Sequence, residues 1–350
     1  MDFDLNEDQR TIKRTAREFL AARYRLDEVR RLALEEERGF TDAQWSEIAG
    51  LGWPELADRE QGLGTVELAV VAEELGYALA PSPLQSTWAA TALLGAGGRG
   101  DALAGGARGT VAMWDADATG TRPDHSTLEP GADGTLTGEK LVVPDAAFAD
   151  VLVVTASEGR HFLVRSDAPG VTIEPSTSID PTRRLFTVRL DGAQGELLEG
   201  DEHAFGHAWH RIAVATAAES VGIAERALEM SVAYASERQQ FGRAIGTYQA
   251  VSHRCAQMLL EVEGARSLIY WAAWALDFEP ETAFLAASAA KAYASDCGSR
   301  VTGSAIQVHG GIGFTWEHDL QLFFKRATAN AHHYGDARWH RDQVADAVLG

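Results

Sequence analysis

The chain has 350 residues with 31 basic and 51 acidic side chains, and its formal net charge of −20 argues against nucleic acid or an anionic membrane as a partner. Its composition, 45% hydrophobic and 23% charged, is ordinary for a globular protein of two or three domains. No apolar run approaches the roughly 20 residues of a membrane helix, the N-terminus lacks a signal-peptide core, and two cysteines fit a reducing cytoplasm.

Residues 1–107 predict an N-terminal helical domain. An amphipathic pattern opens the chain, and Thr41 followed by Gln44 has the spacing of a capping box at the start of a further helix. The apolar run 66–76 predicts another helix, which we expect to end at Gly76 because glycine commonly terminates helices.

Residues 108–203 change character and predict a middle β-domain. Pairs of turn-forming residues separate short runs that are rich in β-branched residues. These runs lie at 110–114, 135–143, 151–155, 161–164, 171–174 and 186–190. Six short strands between two helical blocks indicate a small barrel or sandwich.

Residues 204–350 predict a C-terminal four-helix bundle. Apolar residues recur at three- and four-residue steps over 214–235 and again over 251–276, which is typical of helices with one buried face. Pro280 suits the first turn of a third helix. A fourth helix is expected at 320–331 and a last short one at 337–349.

Two motifs stand at the ends of these helices. The first is Arg238-x-x-Phe241-Gly242-x-x-Ile245, followed by Gln249 at the start of the next helix. The second runs from Gln307 through Gly310, Gly311 and Gly313 to Phe314. Both resemble the signatures of the acyl-CoA dehydrogenases, and they occur in the order found in that family. The resemblance extends over essentially the whole chain.

The resemblance implies FAD as the cofactor, with these segments gripping its ADP half. An arginine suits a pyrophosphate because it forms charge-assisted hydrogen bonds, and glycines let the backbone approach a flat cofactor. The predicted contacts are Arg238, Gln240, Phe241, Ile245, Tyr248, Gln249, Gln307, Gly310, Gly311 and Gly313.

The same resemblance exposes a missing catalytic base. Most members carry a glutamate after the fourth bundle helix, and here Tyr334 occupies that position, or Gly335 with a shift of one residue. A minority carries the glutamate on the first bundle helix, where this chain has Ile212. Asp336 is the alternative base, although aspartate is also a common turn residue at such a place.

The flavin-binding strand departs from the family as well. Val142 stands where members have a tryptophan, and Pro144 stands at a threonine that bonds the flavin N5. Proline offers neither a hydroxyl nor a backbone N–H, so that contact is lost. The threonine-, glutamate- and serine-containing loop of the family is also missing, and Trp114–Gly120 takes its place.

Histidines suggest a metal site at His203, His207 and His210, which share one helical face. No cysteine or ordered carboxylate set completes the group, so a solvated cluster at a domain junction is the preferred interpretation and no metal is predicted.

The sequence therefore predicts a mainly helical protein with a β middle domain and FAD-dependent α,β-dehydrogenation of an acyl-CoA thioester. The chain resembles the short subunit, without a catalytic base, of heteromeric bacterial acyl-CoA dehydrogenases. This resemblance implies a homologous acyl-CoA dehydrogenase subunit as its partner, and a heterotetramer is one form such a hetero-oligomer takes. Two alternatives stay open. One is a homomeric dehydrogenase that uses Asp336, and the other is a non-enzymatic descendant that binds acyl-CoA or stabilises a partner.

Overall fold

The computed structural model describes residues 4–59, 63–115 and 126–350. In these ranges the helices are α1 (Glu7–Arg23), α2 (Leu26–Leu34), α3 (Asp42–Gly50), α4 (Thr65–Ala78), α5 (Leu84–Ala96), α6 (Glu202–Glu237), α7 (Gln249–Phe278), α8 (Ala283–His309), α9 (Leu320–His332) and α10 (Ala337–Leu349). The strands are β1 (Gly109–Ala112), β2 (Trp114–Asp115), β3 (Thr135–Pro144), β4 (Val151–Thr155), β5 (His161–Arg165), β6 (Val171–Ser176), β7 (Leu185–Gln194), β8 (Glu196–Leu197), β9 (Gln239–Gln240) and β10 (Arg243–Ala244). The predicted fold class, helical at both ends with a β middle part, is confirmed.

The capping box predicted before α3 is present. The backbone N–H of Gln44 donates to Thr41 Oγ1 at 3.2 Å, and the backbone N–H of Thr41 donates to Gln44 Oε1 at 3.0 Å. Both groups would otherwise lack partners at the start of the helix, so this local pair fixes where α3 begins.

Two predicted helix ends are wrong. The helix α4 passes through Gly76 and ends at Ala78, because Gly76 serves a close approach and not a helix stop. A Cβ atom at this position would lie 1.9 Å from the Glu219 carbonyl oxygen on α6. Pro280 precedes α8, which begins at Ala283, because α7 runs to Phe278 and leaves the proline in the connection.

Two four-stranded sheets form the β part. One has the order β1-β4-β5-β8, with β1 and β4 parallel, and the other is antiparallel with the order β2-β3-β7-β6. Apolar side chains from both sheets share one buried core, including Leu136, Leu152, Phe162 and Val188. Of the two predicted forms, the sandwich is the one that this shared core supports.

The chain divides into two units, and each unit draws on separate stretches of sequence. The first combines Met1–Arg31, Ala69–Ala80 and Val214–Gly350, and the second combines Leu32–Leu68 and Pro81–Ala213. The predicted division into three domains follows the order of helices and strands along the chain, and it stays a prediction.

Candidate functional site

The first motif forms a small hairpin between α6 and α7. Its strands β9 and β10 pair with Gln240 opposite Arg243, and the two turn residues Phe241 and Gly242 have φ values of 53° and 80°. A two-residue turn with both φ angles positive is the type I′ turn that suits a tight hairpin, and glycine makes its second position easy. The turn leaves the Phe241 side chain 94% exposed, so the hairpin presents an aromatic ring to its surroundings.

Contacts within the motif hold this hairpin in shape. The Tyr248 hydroxyl donates to the Gln240 carbonyl at 3.2 Å, and the Arg243 guanidinium carbon lies 4.1 Å from the centre of the Tyr248 ring. The backbone N–H of Ile245 donates to the Arg238 carbonyl at 2.8 Å. The side chain of Arg238 is exposed, and the exposed Gln249 is the first residue of α7.

The second motif forms the turn after α8. Gln307 lies exposed in the last turn of α8, and Gly310–Phe314 forms a short 3₁₀ turn that begins with Gly310 at φ 64°. A Cβ atom at Gly313 would lie 2.8 Å from the Ile306 carbonyl oxygen, whereas one at Gly311 would meet open space. Gly313 is therefore required for the turn itself, and Gly311 leaves backbone accessible to a ligand.

A ring stack brings the two motifs to the same end of the helices. The rings of Tyr234, one turn before Arg238, and His309, directly before Gly310, are 4.5 Å apart and nearly parallel. Burial and the nearby His318 lower the pKa of His309, which favours the neutral form of the stacked ring. The sequence motifs did not include Tyr234 or His309 as a contact, because the pairing joins residues far apart in the chain.

The charge of this end suits the ADP half of FAD. From residue 238 to residue 260 the sequence contains three arginines and no aspartate or glutamate, in a chain of net charge −20. An exposed Arg238 and an accessible glycine turn fit a pyrophosphate, although Glu237 directly precedes the arginine. These residues would hold that part of the cofactor.

The loop expected to carry a base contains a closed turn instead. Tyr334 is buried and Gly335 follows it, with φ values of 58° and 94°. The Asp336 carboxylate accepts the backbone N–H of Trp339 at 2.8 Å, so it caps α10. Ile212, at the second family position, is a buried apolar residue of α6. Because its carboxylate caps the helix, Asp336 already has a structural role. This favours its interpretation as a turn residue over its interpretation as the catalytic base.

Changing Asp336 to asparagine separates these two roles. We expect turnover within a few-fold of the wild type and unchanged stability, because asparagine caps a helix about as well as aspartate. Loss of a general base would instead lower the rate about 10²- to 10⁴-fold. Steady-state rates of the FAD-loaded enzyme give the answer, and a thousandfold loss with FAD still bound would make Asp336 the base.

The strand expected to face the flavin is β3. A β-bulge separates Lys140 from Val143, and within it Val142 has a φ of 56° and is 42% exposed. Pro144 pairs with Leu185 at the end of the strand and has no N–H to donate. At these two positions the chain offers neither an aromatic ring nor a hydroxyl group. The segment Ala116–Gly120, within the other predicted departure, lies outside the described residues.

Of the three histidines near the start of α6, His203 is exposed, His207 is buried and His210 is half-buried. The His210 ring Nδ1 lies 2.7 Å from the Gly206 carbonyl, and burial lowers its pKa to about 4. The preferred interpretation as a solvated cluster is wrong for His207, which is buried because α6 already begins at Glu202, whereas His203 is exposed. Within residues 4–59, 63–115 and 126–350, no group of three metal-ligating side chains is close enough to hold a metal ion.

Helical segments before and after a pair of β-sheets, with two motif-bearing turns at the ends of long helices, define the acyl-CoA dehydrogenase fold. A family profile described as the acyl-CoA dehydrogenase C-terminal domain matches residues 207–349, and one described as the N-terminal domain matches residues 6–98. The chain belongs to the acyl-CoA dehydrogenase family. It is a flavoprotein oxidoreductase, and FAD is its cofactor. Within the described part of the chain, no helix is both long and apolar enough to span a membrane.

Among similar proteins, the acyl-CoA dehydrogenase IpdE2 of Mycolicibacterium smegmatis is 33% identical, over 95% of this chain and 96% of its own. A variant of the Tcur3481–Tcur3483 steroid ACAD is similar in structure, with a TM-score of 0.87, 29% identity and 98% coverage of both chains. The ChsE4–ChsE5 complex of Mycobacterium tuberculosis gives a TM-score of 0.86 at 25% identity, covering 100% of this chain and 99% of the other.

Proposed function

We propose that this chain is the subunit without a base in a heteromeric acyl-CoA dehydrogenase. It supplies the ADP-binding half of an FAD site, and a homologous subunit supplies the flavin contacts and the carboxylate. The observation that carries this proposal is the α9–α10 loop, residues 333–336. In it Tyr334 is buried, Gly335 has no side chain and Asp336 caps α10.

The two halves of the cofactor site differ in how well they are built. On the ADP side, Arg238 is exposed, and the Gly310–Phe314 turn leaves the backbone at Gly311 accessible. On the flavin side, Val142 and Pro144 replace the shielding ring and the hydroxyl. An enzyme that used both halves of its own chain would need the second set, so the division supports two unlike chains.

Within such an enzyme, the residues of this chain bind and orient. Arg238 would bind the pyrophosphate, Phe241 would offer its exposed ring to the cofactor, and the glycine turn would let backbone groups approach it. The bound FAD would supply the acceptor for the hydride that leaves the acyl chain. The carboxylate that takes the α-proton would come from the other subunit.

Two of the similar structures support the unlike-subunit arrangement, since one pairs Tcur3481 with Tcur3483 and the other is a complex of ChsE4 and ChsE5. One of these is a steroid ACAD, so we include a bulky, steroid-like acyl-CoA as the proposed substrate class.

Expression of the chain alone and together with a base-bearing homologue tests the proposal. Alone, the chain should retain little FAD, because Val142 and Pro144 leave the flavin without support. Together, the purified enzyme should contain one FAD per pair of unlike chains. Flavin absorbance and subunit ratio measure both values. A stoichiometric, active flavoprotein made from this chain alone would contradict the proposal.

A further inference from the structure

A lysine is buried in the middle of α8. The side chain of Lys291 has no exposed surface, and it is among the largest fully buried side chains in the described part of the chain. Within four residues on either side along the sequence lie only alanines, serines and a tyrosine, so the helix offers no carboxylate of its own there. A buried amine is costly unless its hydrogen bonds are made, so its partners define its role.

The amine bonds the end of α9 and the loop that follows. Lys291 Nζ lies 3.1 Å from the Asn330 carbonyl and 2.9 Å from the Gly335 carbonyl. Its third partner is Ser295 Oγ at 2.9 Å, one turn along α8. The Asn330 carbonyl is among the last four of α9, which have no partner within the helix.

A second buried side chain holds the same loop from α10. His340 Nε2 lies 2.9 Å from the Tyr334 carbonyl, and Nδ1 lies 3.2 Å from Ser288 Oγ on α8. The tautomer that donates from Nε2 to the carbonyl accepts at Nδ1 from the serine hydroxyl. Side chains from α8 and α10 thus bond three successive parts of the junction. These parts are the end of α9, the Tyr334 carbonyl and the Gly335 carbonyl.

We propose that Lys291 is the positioning residue of the α9–α10 loop. Its amine donates hydrogen bonds to the end of α9 and to the Gly335 carbonyl, and these bonds keep the loop in one closed conformation. The proposal does not depend on the unlike-subunit function, since it concerns contacts within this chain. It explains why the left-handed backbone at Tyr334, which costs free energy, persists.

Burial gives the closed loop a distinctive pH dependence. Burial lowers the pKa of Lys291 to about 7, and the nearby Asp336 carboxylate opposes that shift. When the loop opens to water, the amine regains its ordinary pKa of about 10.4. Above pH 7 the open state therefore binds more protons than the closed one, so opening becomes less favourable as the pH rises. At most, the equilibrium constant for opening the loop falls about tenfold per pH unit.

Hydrogen exchange of the full chain tests the proposal. The amides of His333, Trp339 and His340 donate to groups at the junction and report its opening. Between pH 7.5 and pH 9, their protection factors, corrected for the intrinsic exchange rate, should rise by up to about tenfold per pH unit. The other titratable groups at the junction are Asp336, His340 and Tyr334, so the loss of the rise in Lys291→Met identifies the part that belongs to the amine.

The variant Lys291→Met keeps the side-chain length and removes the amine. It should lower the protection of these amides at least tenfold and abolish the rise with pH. Lys325→Met is the matched control, because Lys325 stacks on the Trp316 ring away from this junction, and it should change neither result. If Lys291→Met fails to fold, two measurements still test the proposal. One is the pH series on the wild type, and the other is the milder variant Ser295→Ala, for which we expect a smaller loss of protection.

Unchanged protection in Lys291→Met would overturn the proposal, as would wild-type protection that does not vary with pH. In either case the proposed function would stand or fall separately, because flavin content and subunit ratio measure it. Conversely, a stoichiometric flavoprotein made from this chain alone would leave the role of Lys291 intact.

Discussion

Replacing Arg238 with alanine should weaken FAD binding by the assembled enzyme by about 10- to 150-fold. The change removes a charge-assisted hydrogen bond to the pyrophosphate, worth roughly 1.5–3 kcal/mol. The hairpin should persist, because Arg238 supports it through its backbone carbonyl, which accepts from Ile245 in any variant. Calorimetric titration of the FAD-free enzyme with FAD measures the effect.

Arg254→Ala is the matched control for this measurement. Arg254 lies exposed on α7 within the same stretch without carboxylates, and its loss changes the net charge equally. We expect at most a few-fold effect, since long-range attraction between exposed charges is screened by salt. Equal losses in both variants would indicate a general field effect, and an unchanged affinity in Arg238→Ala would remove that residue from the predicted site.

Elements specified by local sequence were predicted well. The capping box of α3 needs only Thr41 and Gln44, and the strand runs of the middle part alternate or cluster apolar residues as their burial requires. The errors arose where a distant segment decides the outcome. The local preference of glycine predicts that a helix ends at Gly76. In the structure α4 continues through it, and the absent side chain lets the backbone of Glu219 on α6 approach closely.

The candidate site shows the same division. The motif positions from Arg238 to Gln249 and from Gln307 to Gly313 could be named from sequence spacing, and their role toward FAD stays a prediction. The stack of Tyr234 on His309 and the bonds of Lys291 to Asn330 and Gly335 could not be named, because their partners are distant in sequence. A single lysine within an alanine-rich helix was the available signal for the latter.

Replacing Gly222 with alanine should lower the free energy of unfolding by about 3 kcal/mol or more, at the upper end of the usual cost of overpacking. A Cβ atom at Gly222 would lie 1.9 Å from the Glu73 carbonyl oxygen and 2.7 Å from the Tyr77 nitrogen. Backbone atoms cannot rotate away as side chains can, so α4 and α6 must move apart. Urea unfolding of the purified chain measures the loss.

Gly303→Ala is the matched control, since Gly303 is also within a long helix and the nearest atom to its Cβ would be 4.0 Å away. Alanine favours a helix over glycine by roughly 1 kcal/mol, so this variant should be as stable as the wild type or slightly more so. The same preference acts at Gly222, where the clash must exceed it. If Gly222→Ala proved as stable as Gly303→Ala, the close crossing of α4 and α6 would be wrong, and with it the reason given for the continuation of α4 through Gly76.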